Sequence, residues 1–225
     1  MTRSGDYLGA MGHSSRLDLY DPLVRVTVRE RRFKSRLLSA AALRPGFRVL
    51  DLGCGTGTLA LMAKRALPAA RVVGIDADPV AIDMARKKAA REGVSIDFHV
   101  GLAQQLPYPN HFFDRVLSTL FFHHLPHEGK LDALSETARV LTPGGELHLA
   151  DFGLPANGLM RAAFSLLRKF DGMETTEDNV AGRLPEMISR CGLINVRETA
   201  SYSTVLGTIR LYRAVQPGGN DPKPD

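Results

Sequence analysis

The sequence predicts an α/β fold, a doubly wound sheet of mostly parallel strands with helices on both faces, and three observations carry that expectation. An apolar run at 49–52 ends in glycines at alternate positions, Gly53, Gly55 and Gly57, and a helix-forming stretch follows at once. Beyond it, short apolar runs alternate with segments of helical period as far as Val215. The 225 residues, 44% of them apolar, supply the core of one such domain but not of two.

The stretch 49–57, VLDLGCGTG, organises the rest of the chain. Three glycines after a buried strand let the backbone approach a ligand and reach positive φ at little steric cost, while the next helix offers unpaired N–H groups. A ligand pocket at the strand's C-terminal end is the expected result. Gly55-Thr56-Gly57-Thr58-Leu59-Ala60 also fits the pattern of dinucleotide sites, with Asp76 about 20 residues further on. Asp51 separates the two readings, because a carboxylate ahead of the first glycine repels a pyrophosphate and attracts an ammonium or sulfonium.

Residues 1–19 are rich in Gly, Ser and Arg with little periodicity, as in a mobile arm. From Pro22, Leu23, Val26, Val28, Phe33, Leu37 and Leu38 interleave with Arg25, Arg29, Arg31, Arg32, Lys34 and Arg36. This predicts one or two basic amphipathic helices, so that 1–43 caps a domain over 44–215. After the glycine turn comes a helix over 59–67, stopped by Pro68, and a strand over 71–75 with Asp76 at its end. A carboxylate there can accept two ribose hydroxyls, and Asp78-Pro79 reads as the N-cap and first residue of the next helix.

Strands follow over 95–100, leading into Gly101-Leu102-Ala103, and over 115–122, leading into His123-His124. A helix over 130–141 is stopped by Thr142-Pro143-Gly144-Gly145, and a strand over 146–152 carries Asp151 near its end. An insertion over about 153–182, with a greasy amphipathic helix at 159–170, delays the next helix to 183–192, with Gly192 at its C-cap. Two antiparallel strands, 196–206 and 208–215, meet at Gly207, and 216–225 reads as a disordered tail.

The nonamer VLDLGCGTG, Asp76, the pair His123-His124 and the segment ARVLTPGGEL with Asp151 beyond it occur in the order found in class I S-adenosylmethionine (SAM) methyltransferases. The chain resembles that family, and most of all its branch of ubiquinone/menaquinone C-methyltransferases and relatives acting on lipids and small natural products. The resemblance implies a Rossmann-like seven-stranded sheet with an antiparallel last strand. It also implies SAM as cofactor, S-adenosylhomocysteine as product, and methyl transfer to an O, N or C nucleophile of a small acceptor. The greasy insertion points to an apolar or lipid-like one.

Cofactor contacts are then expected from Asp51, Gly53, Cys54, Gly55, Gly57, Asp76, Ala77, Leu102, Ala103, Gln104 and Leu120, with Tyr20 or Tyr7 closing over them. The family usually has an acid after Gly101 to receive the adenine amino group; Leu102 cannot, so Gln104 or Gln105 substitutes or backbone and water serve alone. His123, His124 and Asp151 are the candidate catalytic groups, as base, acceptor anchor or pocket wall. An amine acceptor bound in its neutral form needs no base.

The net charge of +5 is unevenly placed: ten basic against four acidic residues lie up to Arg48, so the excess belongs to the N-terminal segment. Such a surface suits solvent or an anionic membrane; without interleaved aromatic residues it does not suit nucleic acid. Two cysteines make neither a disulfide framework nor a thiolate metal site, and His123, His124 and His127 lack a fourth ligand and the usual spacing for zinc. With no apolar run of about 18 residues and no leader pattern, the expected address is the cytoplasm, as monomer or homodimer. Two other functions share the glycine turn: a non-catalytic SAM-binding partner subunit and an NAD(P)-dependent oxidoreductase.

Overall fold

In the computed structural model, which describes residues 30–154, 175–204 and 207–218, the strand that enters the glycine turn lies at the middle of a seven-stranded sheet. Strands β1 (Arg48–Leu52), β2 (Arg71–Asp76), β3 (Asp97–Val100), β4 (Phe113–Thr119), β5 (Leu141–Phe152), β6 (Ile194–Thr204) and β7 (Gly207–Val215) line up in the order β3-β2-β1-β4-β5-β7-β6. The first five are parallel, and β7 runs antiparallel to both β5 and β6. The order in which successive strands are added across the sheet reverses between β1 and β4. At that switch point the crossovers diverge to opposite sides, which leaves a crevice at the strands' C-terminal ends.

Helices α1 (Glu30–Ala41), α2 (Thr58–Ala66), α3 (Pro79–Arg91), α4 (His127–Val140), α5 (Glu177–Val180) and α6 (Leu184–Arg190) complete the described elements. Successive residues of β1 point to opposite faces of the sheet, so Val49 joins a core with Phe33, Leu37, Leu59 and Ile82, and Leu50 joins one with Phe113, Leu134 and Met187. Helices α1, α2 and α3 cover the first face; α4 and α6 cover the second.

Several expectations hold in detail. Asp78 caps α3 by accepting the Val80 N–H at 2.8 Å, with Pro79 in the first turn, and Gly192 follows α6 with φ +91°. Others need correction. Strand β4 ends at Thr119 rather than 122, and Phe122–His124 form a 3₁₀ turn outside the sheet. Strand β5 begins at Leu141, before the Pro-Gly-Gly segment, with an irregular register between Phe113 and Arg115 on its neighbour. Helix α4 starts three residues early, at His127. In α1, Arg31, Arg32 and Arg36 are exposed as predicted, but Lys34 turns inward and pairs with Glu30 at 2.5 Å. Tyr7, Tyr20, the helix at 159–170 and most of the tail fall outside the described residues.

Glycine 57 shows why the turn has its composition. Its φ is +77°, and a Cβ there would lie 2.9 Å from both Ala85 Cβ and Phe98 Cζ. Gly57→Ala is therefore expected to destabilise the fold by about 1–3 kcal/mol, from overpacking added to left-handed strain. Urea denaturation measures it, and an unchanged midpoint would mean that α3 and Phe98 move aside freely.

Candidate functional site

The crevice is lined first by the turn after β1. Asp51, the penultimate residue of that strand, is 1% exposed, and its Oδ2 accepts the Ala60 N–H at 2.9 Å. It thereby ties the strand to the first turn of α2. Burial pushes its carboxyl up to about 7, against the opposing pull of the Lys34 charge and the Ala60 N–H.

The three glycines do different work. Gly53 has φ +66°, and its missing side chain leaves room for the Phe121 ring, whose Cγ lies 2.2 Å from where a Cβ would be. Gly57 makes room for Phe98 in the core. Gly55 alone, with φ +51°, has nothing within 4 Å on its side-chain face. The open side-chain face is at Gly55, while Gly53 and Gly57 are also required by packing. The Cys54 side chain is also core, in the cluster with Phe98, and burial raises its thiol well above the usual range.

Asp76 closes the other side of the turn. Its Oδ2 accepts the Gly55 N–H at 2.8 Å and its Oδ1 the Asp78 N–H at 3.0 Å. Burial raises its pKa, and those two N–H bonds oppose the rise. Each oxygen keeps a further lone pair, so the carboxylate can still receive two hydroxyls. Ala77 is exposed beside it. After β3, Leu102 is 43% exposed, Ala103 is buried, and Gln104 Nε2 lies 3.3 Å from where a Cβ of Gly129 would be, at the start of α4. A flat apolar ligand edge fits this rim better than one that requires a carboxylate partner.

The end of β4 brings in the catalytic candidates. At Leu120 the chain leaves the sheet with φ +54°, a conformation rare for a branched side chain that persists only where surroundings enforce it. Two enforcing contacts are visible: the Leu120 N–H donates to Ala150 O at 2.8 Å, and the Phe121 N–H to Asp151 Oδ2 at 3.1 Å. The 3₁₀ turn that follows sets His123 over the end of β5. There His123 Nδ1 lies 2.7 Å from Asp151 Oδ1, and both side chains are 1% exposed.

Asp151 organises this corner. It also accepts the backbone N–H groups of His123 at 3.3 Å and Phe152 at 2.7 Å. Burial alone would raise its pKa; the His123 ring and the Phe152 N–H outweigh burial and hold the carboxyl below the usual range. Against a carboxylate, His123 Nδ1 carries a hydrogen, and in the neutral ring Nε2 presents a lone pair. Nε2 is buried with no hydrogen-bond partner. His124 is exposed, its ring centroid 3.9 Å from that of His123, and because two adjacent rings resist carrying positive charge together, His124 is held below the ordinary histidine range. The pair thus splits into one inward and one outward ring.

A second buried cluster lies beside the first. Asp178, at 2% exposure, accepts from His127 Nδ1 at 3.0 Å, Arg183 at 3.0 Å and Lys130 Nζ at 3.4 Å. Lys130 is fully buried and also donates to Thr175 O at 2.5 Å; burial lowers its pKa against the attraction of Asp178. Next to it, Asn179 Nδ2 donates to Phe152 O at 3.0 Å. Sequence reasoning missed Phe121, Lys130, Asp178 and Asn179. A lysine on the apolar side of α4 is the one local signal; the rest is spoken for by partners 27 to 51 residues away.

Residues 49–145 match the family described as a methyltransferase domain. The demethylmenaquinone methyltransferase of Deinococcus radiodurans is 38% identical over 151 residues, which cover 67% of this chain and 61% of that protein. The chain therefore spans about three fifths of that relative's length. A ubiquinone/menaquinone biosynthesis C-methyltransferase of Stutzerimonas stutzeri is 28% identical over 222 residues, covering 91% and 86% of the two chains. Among solved structures, the YcgJ protein of Bacillus subtilis superposes with a TM-score of 0.71 at 21% identity, covering 84% of this chain and 100% of that one. The last likeness concerns the fold alone.

Proposed function

We propose that the chain is a class I SAM-dependent methyltransferase related to the ubiquinone/menaquinone C-methyltransferases, and that it transfers a methyl group to an O, N or C nucleophile of a small, apolar or lipid-like acceptor. The observation that carries the reading is the buried His123–Asp151 pair, fixed at 2.7 Å beside the glycine turn at the sheet's C-terminal edge. SAM, when bound, supplies an electrophilic methyl group on a cationic sulfur and leaves as S-adenosylhomocysteine.

The chain's own part is binding, orientation and proton removal. Asp76 holds the ribose through its remaining lone pairs, and Gly55 lets the chain of the ligand pass close to the backbone. Asp51 favours the ligand's positive charge from behind the turn. Leu102, Ala103 and Gln104 border the base, with Ala77 and Leu120 at the edges; Cys54, Gly53 and Gly57 shape the turn from within. His123 Nε2 accepts the proton of the attacking group, Asp151 stabilises the resulting charge, and His124 walls the mouth. Most of the rate enhancement comes from holding nucleophile and methyl carbon in line.

A cytoplasmic protein whose exposed Arg31, Arg32 and Arg36 meet an anionic membrane would suit a lipid-like acceptor. No helix among the described residues is long and apolar enough to cross a membrane.

Titration calorimetry with SAM, S-adenosylhomocysteine and NADH tests the cofactor. Binding of the first two with NADH silent is expected; binding of NADH alone would end the reading. Asp76→Ala should weaken SAM by about 1.5–3 kcal/mol, the loss of charge-assisted hydrogen bonds. Unchanged affinity would remove Asp76 from the ribose site.

A further inference from the structure

Helix α1 carries two charged residues on its apolar side. Glu30 is 6% exposed and Lys34 8%, and they pair with each other at 2.5 Å on the side that also carries Phe33, Leu37 and Leu38. The helix has an exposed face for charge, with Arg31, Arg32 and Arg36 already on it. In a buried ion pair the attraction seldom more than offsets the desolvation, so this pair calls for a reason beyond stability.

The reason lies across the sheet. Alternation along β1 sends Val49 and Asp51 to the same face, and Val49 packs in the core that holds Phe33 and Leu37. The end of α1 is fixed near the strands' starts, where Arg115, beside Val49 in the sheet, donates from Nε to Ala41 O at 2.8 Å. Lys34 stands two helical turns before Ala41, roughly 10 Å along the axis, which brings it toward the C-terminal part of β1. Its charge is the largest influence opposing burial at Asp51, whose carboxyl burial pushes up to about 7. The other titratable groups acting on Asp51 are Cys54 in the turn and Asp76 at the end of β2.

Glu30, Lys34 and Asp51 thus place two acids and one base away from water. With every group ionised the cluster carries one uncompensated negative charge, and a buried site holds such a charge only against a proton or a cation. We propose that this buried triad makes cofactor uptake a proton exchange, in which the empty site takes up a proton on Asp51 and the sulfonium of SAM drives it back to solvent. This rests on the reading of SAM as cofactor given under Proposed function. The O–H bond of the Asp51 carboxyl breaks, the proton passes to buffer, and the carboxylate left behind faces the cation. Lys34 is a positioning residue that acts through Asp51. S-adenosylhomocysteine has the same ribose, amino and carboxylate groups but a neutral sulfur, so it displaces less of the proton. Rising pH therefore favours SAM over its product at this site.

Calorimetric titration at pH 6.5 in buffers of differing ionisation enthalpy counts the protons, at a pH where the amino group of both ligands stays charged. SAM is expected to release about half a proton more than S-adenosylhomocysteine. The ratio of their affinities should shift toward SAM by about fivefold from pH 6 to pH 7. Asp51→Asn, which still offers an oxygen to the Ala60 N–H, should abolish both differences. Lys34→Met combined with Glu30→Gln should move the same profile to higher pH, and Lys34→Arg should leave it in place. Equal proton release by the two ligands would overturn the proposal. So would a difference that survives in Asp51→Asn, which would put the proton on Asp76 or His123, or an unmoved profile in the double variant. If Asp51→Asn does not fold, the unaltered chain and the Lys34 variants decide. Binding of both ligands with equal proton release would end this inference and leave the cofactor reading standing; binding of neither would end both.

Discussion

His123→Ala is expected to slow methyl transfer by roughly 10²- to 10⁴-fold, the usual worth of a positioned acid or base, while SAM binds as before. Asp151→Asn isolates the cause more sharply. An amide in place of that carboxylate can turn its NH₂ toward His123 Nδ1, which moves the ring hydrogen to Nε2 and converts an acceptor into a donor. The ring stays in place and the base is lost. A stability cost accompanies the change, because Asp151 also accepts the N–H groups of Phe121, His123 and Phe152, and an amide has one oxygen for them.

The same pair makes a pH prediction. The Asp151 carboxyl is held below its usual range, so its contribution to stability is present above the unfolded value of about 4 and is lost as pH falls through the folded value. His123→Ala removes the largest of the influences that offset burial, and the folded value rises. Acid unfolding of that variant should therefore begin at a higher pH than in the unaltered chain. A variant that keeps both its rate and its acid midpoint would show that the pair neither removes a proton nor carries charge.

How much of this was legible from the chain follows from where each residue's partners lie. The strand, glycine turn and helix over 48–66 could be read because every cue is local: apolar alternation, glycines requiring positive φ, a helical period. The reversed last strand was expected from the family likeness, and β7 has that direction. The end of β4 was misplaced because Leu120, Phe121 and Phe122 continue an apolar run after the backbone has left the sheet. Phe122 is apolar since it enters the core and Phe121 since it covers Gly53, and neither reason shows in a periodicity. The Pro-Gly-Gly segment hid the start of β5, whose backbone finds Gln216 as a distant partner.

The site was legible as a set of chemical types rather than as an arrangement. Asp51, Asp76, His123 and Asp151 all come to the sheet's C-terminal edge, where acids and histidines after parallel strands belong. Their division of labour was not visible. Whether a glycine faces a ligand or a phenylalanine depends on Phe98 and Phe121, 41 and 68 positions away from Gly57 and Gly53. Similarly, Thr-Thr-Glu-Asp-Asn at 175–179 reads as an ordinary polar loop until Lys130 and Phe152 are seen against it.

Asp178→Ala is expected to cost about 3–5 kcal/mol of stability, because it strands a fully buried lysine as an uncompensated charge. For a chain of this length that corresponds to a fall in Tm of roughly 6–20 °C. Lys130→Met added to the same variant should recover most of the loss, since replacing both members of a buried pair removes the stranded charge and retains packing. Recovery separates an electrostatic cause from loss of the short helix α5 itself, which Lys130→Met could not repair. The functional consequence also divides cleanly. Asp51, Gly55 and Asp76 stand apart from this cluster, so S-adenosylhomocysteine affinity should be unchanged in both variants, whereas Asn179, next to Asp178 in the chain, reaches the end of β5 through Phe152 O. Weaker binding of a methyl acceptor in the single variant, at a temperature where it remains folded, would tie the buried ion cluster to acceptor recognition. Unchanged stability would mean that Lys130 reaches water in solution.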